Sequence, residues 1–336
     1  LNRAGQARMR LGQVHLSRGE PGEAAEVFEG YLASFPRGRR WDEATYWAAW
    51  SRAMDGDPEA ARAHTGRLIR EQPLSYYTVL AGRLLGEAFG PQLPPGAPAP
   101  RLPWLEAEME RVEMLREAGL EEAVEARIQA LIERVEEIDE QLLRLSLELG
   151  GRGFTLRGIR LGWELRRRGH PWDHQLVRAI FPFPYRELVA REAAEWNLDP
   201  YFLAALIRQE SAFEARARSG AGAVGLMQVV PSTGEAVARR VGPARFSERL
   251  LEHPEVNVHL GAAFLAGLKD RFGDRTPLVL VAYNAGPTRA RRWERAFPEI
   301  EDPTRFTERI PFSETRGYVK SVTRNLALYR WLYGEQ

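Results

Sequence analysis

The chain has 336 residues, 44% of them hydrophobic and 28% charged, the proportions of a soluble globular protein with room for two or three domains and a sizeable core. A formal net charge of +1 gives no global attraction to nucleic acid or to membranes, and the lack of cysteine excludes disulfides, thiol nucleophiles and thiolate metal sites. No apolar run approaches the roughly 20 residues that span a bilayer, so no transmembrane segment is expected. The chain starts at Leu1 without a basic-then-apolar leader, which leads to the expectation of a mature or trimmed product.

Proline and glycine reveal a repeat in the first ninety residues. Pro21 and Pro58 lie 37 residues apart, as do Pro36 and Pro73, Gly19 and Gly56, Ala24 and Ala61, and Leu32 and Ile69. Each unit reads as a helix, a short turn (RGEPGEA, then DGDPEAA) and a second helix ending at proline. Such periods mark stacked helical hairpins that bury their apolar faces against one another. Trp41, Tyr46, Trp47 and Trp50 suit either carbohydrate stacking or packing between repeats, and their spacing favours packing. PQLPPGAPAPRLP (91–103) is too rich in proline for helix or strand and reads as an extended linker. Residues 104–149 show a helical rhythm with a turn at Ala118-Gly119, Gly150-Gly151 ends that run, and another helix is expected over 155–168. FPFPY (181–185) is the next strong punctuation, and a domain boundary is placed there. The expected organisation is therefore all-α: hairpin repeats over 1–90, a linker over 91–103, further superhelical helices over 104–184, and a functional domain over 185–336.

Chemistry concentrates beyond residue 185. Asp199-Pro200 is a helix start, an N-cap side chain followed by proline at the first helical position. The helix runs to about Ser211, and Glu210 shares a face with Leu203, Leu206 and Ile207. A carboxylate there meets the negative end of the helix dipole and apolar neighbours, and both raise its proton affinity, as a general acid requires. The plainer reading is a surface glutamate at a frayed helix end, or one paired with a distant arginine. Arg208 points to another side of the helix and need not neutralise it. The next stretch, SGAGAVGLMQVVP, packs Gly220, Gly222 and Gly225 into a few residues, a density that permits positive φ and close backbone approach to a ligand.

RQESAF (208–213), then S-x-x-GAxGLMQ-x-x-P-x-T (219–233), AYNAGP (282–287) and IPFSETRGYV (310–319) occur in that order. Together they resemble the successive motifs of the soluble lytic transglycosylases, whose catalytic domain is goose-lysozyme-like and is preceded by a helical superhelix. The resemblance covers roughly 185–333, and more weakly YWAAW…PLSYYTVLAG (46–82). It implies that Glu210 is the single catalytic acid and then base. It also implies that Ser219, Gly225, Met227, Gln228, Val230, Tyr283, Asn284 and Glu314 lie in the substrate groove. Gly220 and Val230 depart from the commoner proline and methionine of that pattern. Read bottom-up, Tyr283-Asn284 joins an aromatic platform to an amide, suited to sugar hydroxyls and an N-acetyl group; a simple helix cap is the alternative. Glu314 equally fits a first-turn carboxylate complementing the dipole of a helix that carries Tyr318, Val322 and Leu326 on one face.

The implied reaction is cleavage of the β-1,4 bond between N-acetylmuramic acid and N-acetylglucosamine in peptidoglycan glycan strands, giving 1,6-anhydromuramyl ends without a cofactor. The implied location is the periplasm or cell envelope, with cell-wall synthesis or division proteins as possible partners. Two other readings stay open: a goose-type lysozyme-like hydrolase using water, and a non-catalytic peptidoglycan-binding scaffold. Metal chemistry finds little support. The six histidines form no HExxH, His170 and His174 flank Pro171 in a turn, and DGDPE (55–59) is explained as a repeat turn.

Overall fold

The same local signals organise the three-dimensional structure, a computed structural model that describes residues 2–87, 89–243, 245–297 and 302–334. Among these residues regular structure is almost entirely helix, in two compact units, Leu1–Gln92 and Leu93–Gln336.

The first unit contains α1 (Asn2–Arg18), α2 (Pro21–Ser34), α3 (Trp41–Met54), α4 (Pro58–Glu71) and α5 (Tyr76–Leu84). The 37-residue period is the α1–α2 hairpin repeated as α3–α4. Gly19 and Gly56 end the leading helices at φ 75° and 86°, and Pro21 and Pro58 open the following ones. Trp41, Tyr46 and Trp47 are buried between helices with Phe28, Tyr31, Leu68 and Tyr77, and Trp50 packs against them. The aromatic set therefore serves packing, as its spacing favoured.

The second unit opens with the extended residues 93–102. They are pinned rather than free: the His174 amide donates to the Pro94 carbonyl at 3.0 Å, and Gly96 lies against the Asp173 carboxylate. Then follow α6 (Pro103–Glu117), α7 (Glu121–Val135), α8 (Asp139–Gly151), α9 (Thr155–Arg167) and α10 (His174–Ile180). Two details differ from the sequence reading. The run over 104–149 breaks a second time, at 136–138, where Ile138 turns extended before α8. Gly150 and Gly151 also lie inside the last turn of α8, and the chain turns at Gly153, φ 85°. The physical reason is packing: a Cβ at Gly158 of α9 would stand 2.9 Å from the Gly150 nitrogen, so small residues let the two helices touch.

The unit continues with α11 (Arg186–Glu195), α12 (Pro200–Glu210), α13 (Pro231–Val241), a 3-10 turn at Glu248–Glu252, α14 (Pro254–Phe272), α15 (Thr276–Ala285), α16 (Pro287–Ala296), α17 (Pro303–Arg309) and α18 (Ser313–Tyr333). VLVAYN (279–284) is the end of the buried helix α15. The chain passes residue 185 without a break in packing, because the Tyr333 and Tyr329 hydroxyls of α18 donate to the Phe181 and Pro182 carbonyls, each at 2.8 Å. No helix among the described residues is long and apolar enough to cross a membrane.

Candidate active site

The site is built around the end of α12. Asp199 caps that helix by accepting from the Tyr201 amide at 2.8 Å, and Phe202, Leu203, Leu206 and Ile207 anchor it in the core. After Glu210 the chain turns sharply: Ala212 and Phe213 have φ of 51° and 64°. Left-handed backbone is costly for non-glycine residues, so the surroundings must enforce it. Phe213 is fully buried beside Phe183 and Tyr329, and the Glu214 carboxylate accepts from the Leu156 amide at 3.1 Å, fixing this turn to the first turn of α9.

Glu210 is half-buried. Burial pushes its pKa up to about 7, partly offset by a hydrogen bond from Tyr318, whose hydroxyl donates to Oε1 at 2.6 Å. Among the described residues the rise comes from desolvation and not from a neighbouring carboxylate. Arg208 turns away, as expected: it donates to the Ile180 carbonyl and stacks over Phe181, its centre 5.5 Å from the ring centroid.

The glycine-containing loop closes over this point. Short antiparallel bridges join Arg218 to Val224 and Val224 to Val229. Within it the Ser219 hydroxyl accepts from the Ala223 amide at 3.0 Å, and Gln228 donates to the carbonyls of Ala217 and Gly225. Asn257 of α14, fully buried, locks the loop. Its Nδ2 donates to Val224 and Leu251, and its Oδ1 accepts from the Met227 amide, each at 2.8 Å. The loop is joined to the residue next to the acid, because the Ser211 hydroxyl donates to the Leu226 carbonyl at 2.8 Å.

The nine sequence candidates separate into three groups. Glu210 stands at the centre, with Tyr283 close enough that its charge raises the Tyr283 phenol, already raised by burial. Tyr283 also donates to the Met227 carbonyl at 2.8 Å and lies against Phe264. Ser219, Gly225, Met227 and Gln228 are loop framework: Gly225 is buried, and the Met227 side chain is fully buried against Gly261. Val230, Asn284 and Glu314 are exposed and make no hydrogen bond to Glu210 among the described residues.

Two functional groups escaped the sequence reading. Tyr318 was legible only as part of an apolar face; the signal was that tyrosine, unlike leucine, carries a polar tip that needs a partner when buried. Asn257 was legible only as a polar residue between Val256 and Val258 on an otherwise apolar helix face. No group of three or more His, Asp or Glu among the described residues is placed to hold a metal ion.

Comparison with known proteins gives this geometry a context. Residues 187–304 match the family described as Transglycosylase SLT domain. A soluble lytic murein transglycosylase of Escherichia coli strain K12 is 37% identical over 169 residues, covering 50% of this chain and 26% of that protein. Its Salmonella typhimurium counterpart is 31% identical over 312 residues, 91% of this chain and 46% of that one. The crystal structure of the 70 kDa soluble lytic transglycosylase from Escherichia coli superposes with a TM-score of 0.77 at 26% identity, over 98% of this chain and 51% of that chain. The chain thus spans about half, or less, of the length of these relatives, and its all-α fold is the one seen in that crystal structure.

Proposed function

Because this chain is a homologue of the soluble lytic murein transglycosylases, with a transglycosylase SLT domain over 187–304, we propose that it is a peptidoglycan lytic transglycosylase acting in the periplasm or cell envelope. It cleaves the β-1,4 bond between N-acetylmuramic acid and N-acetylglucosamine and leaves 1,6-anhydromuramyl ends. Residues 185–336 form the lysozyme-like catalytic part, preceded by helices of a superhelix. The observation that carries this reading is the carboxyl group of Glu210, its pKa pushed up to about 7 by burial and touched by the Tyr318 phenol.

Paired-carboxylate glycosidases use an acid and a second acid as base or nucleophile. One carboxyl group that exchanges its proton near neutrality can serve both halves of an intramolecular reaction. Protonated Glu210 donates to the glycosidic oxygen as the C1–O bond breaks, and the N-acetyl oxygen of the substrate stabilises the cationic C1. Ionised Glu210 then accepts the proton of the muramyl C6 hydroxyl as that oxygen bonds to C1. The proton count closes, no water is consumed and no cofactor is needed. Tyr318 holds the carboxyl rotamer and favours its ionised form between the two halves. Ser219, Gly225, Met227 and Gln228 shape the groove wall, whereas Val230, Tyr283, Asn284 and Glu314 face the glycan.

Mass spectrometry of digested peptidoglycan tests this. Products lighter by one water than reducing muropeptides support the transglycosylase, and reducing ends would assign the chain to lysozyme-like hydrolysis instead. Tyr318→Phe gives a second test. The phenol stabilises the carboxylate and so lowers the Glu210 pKa. Its removal is expected to move the alkaline limb of the kcat/KM profile upward by about one pH unit. An unmoved limb would separate that limb from Glu210.

A further inference from the structure

Two arginines of the second unit converge on one aromatic ring with no carboxylate between them among the described residues. Arg208 of α12 and Arg324 of α18 both cover Phe181, their guanidinium centres 5.5 Å and 5.7 Å from its ring centroid. Phe181 is buried, and both arginines are half-buried. Their hydrogen-bond partners are neutral. Arg208 donates through Nη2 to the Ile180 carbonyl at 3.3 Å, and its buried Nε has no partner among the described residues. Arg324 turns back on its own neighbour, donating through Nε and Nη2 to Asn325 Oδ1 at 3.3 Å and 2.9 Å. The Nη1 group of each makes no hydrogen bond among the described residues.

An arginine withdrawn from water ordinarily stands beside a carboxylate. Here burial lowers the proton affinity of both guanidinium groups, and the charge of Arg208 adds to the effect at Arg324, whose pKa falls to about 10. Both remain charged at neutral pH. Glu308, near this stretch of α18, is engaged by Lys320 at 2.8 Å. Two fixed positive charges with unused N–H groups suit a doubly charged oxyanion. A guanidinium fork matches two oxygens of such a group, and one dianion neutralises both arginines, where a carboxylate would leave one charge over.

The position of the pair gives such a ligand a structural effect. Arg208 lies two residues before Glu210, on another side of α12, and Arg324 lies six residues beyond Tyr318. The helices carrying the acid and its phenol are therefore the two that the anion joins. We propose that Arg208 and Arg324 form a binding site for a phosphate-type dianion, free phosphate or the terminal phosphate of a larger molecule, which clamps α12 to α18. The site needs no glycan and takes no part in the cleavage proposed at Glu210.

Isothermal titration of the full chain with inorganic phosphate, at an ionic strength held constant with chloride, tests this. One saturable site is expected, with a Kd of about 1 mM or tighter, and phosphate at about ten times that Kd is expected to raise Tm by about 3 °C. Dimethyl phosphate, with a single charge, is expected to bind about tenfold more weakly. Arg324→Met is expected to abolish the Tm rise, and Arg324→Lys, which keeps the charge without the fork, to weaken binding about tenfold. Arg291→Ala, at an exposed arginine of α16, is expected to leave binding unchanged. Methyl phosphate binding alongside inorganic phosphate would support the proposal with a phosphate ester as ligand, and binding of inorganic phosphate alone would support it with the free ion. Absence of saturable binding by the unaltered protein would overturn the proposal. So would an equal Tm rise with chloride, a rise that survives in Arg324→Met, or one lost in Arg291→Ala.

Discussion

Glutamine at position 210 is expected to lower the rate of glycan cleavage about 10³-fold, within the range that a positioned general acid supplies, measured by release of soluble muropeptides. Gln keeps the shape and accepts the Tyr318 hydrogen bond but can neither give nor take the proton. A variant retaining more than about a tenth of the activity would remove Glu210 from its role, because a displaced general acid cannot leave so much behind. The same substitution has an opposite effect on stability, with a definite pH signature. The carboxyl pKa of Glu210 is raised from an ordinary 4.5 to about 7 in the fold. Its contribution is therefore fully present below pH 4.5 and is lost as pH rises to 7, where the folded state must hold a charge that burial disfavours. Glu210→Gln has no such charge. It is expected to match the parent at pH 4 and to exceed it by up to about 3 kcal/mol at pH 8, read by urea denaturation at the two pH values. A difference independent of pH would mean that the carboxyl group is not strained by burial.

Gly225→Ala is expected to destabilise the second unit by about 3 kcal/mol, a combination of backbone strain and overpacking. Gly225 has φ of 80°, and a Cβ there would lie 2.2 Å from Asn257 Nδ2 and 2.4 Å from the Leu251 carbonyl oxygen. The alanine methyl would thus displace the amide that ties Val224, Leu251 and Met227 together, and the loop beside Glu210 would lose its lock. Gly220→Ala is the matched control. No atom lies within 4 Å of its Cβ position, and its effect is expected to stay within about 0.5 kcal/mol. Similar urea midpoints for the two variants would show that glycine is needed at 225 for neither space nor conformation.

Features written in short-range chemistry were legible before any coordinates. Asp199-Pro200 fixed where α12 begins, the spacing of Leu203, Leu206 and Ile207 fixed which face it buries, and Glu210 stood out because it lies on that face. The 37-residue repeat was legible for the same reason: a left-handed glycine and a helix-opening proline act within a few residues of themselves. Packing between helices obeys no such local rule. Gly150-Gly151 looked like a stop and proved to be a place of close helix contact, because glycine serves both ends and only the neighbouring helix decides. Tyr318 reaches Glu210 across 108 residues of chain, and Asn257 reaches Met227 across 30. Neither pairing leaves a periodic trace. The motifs supplied the candidate groove residues. The coordinates divide them into those whose side chains build the loop, such as Met227, and those left at the surface, such as Asn284.

The span by which the domain is recognised, 187–304, omits all of α18. Yet α18 carries the phenol on the acid, and its tyrosines bond to carbonyls at 181 and 182, upstream of that span. What is inherited as a recognisable module is therefore shorter than what must fold together for the proton to sit at the right affinity. Recombination at the edges of the recognisable span would transplant the carboxyl group without its tuner. A graft carried from residue 181 through residue 333 keeps the acid and the group that sets its working pH as one heritable piece.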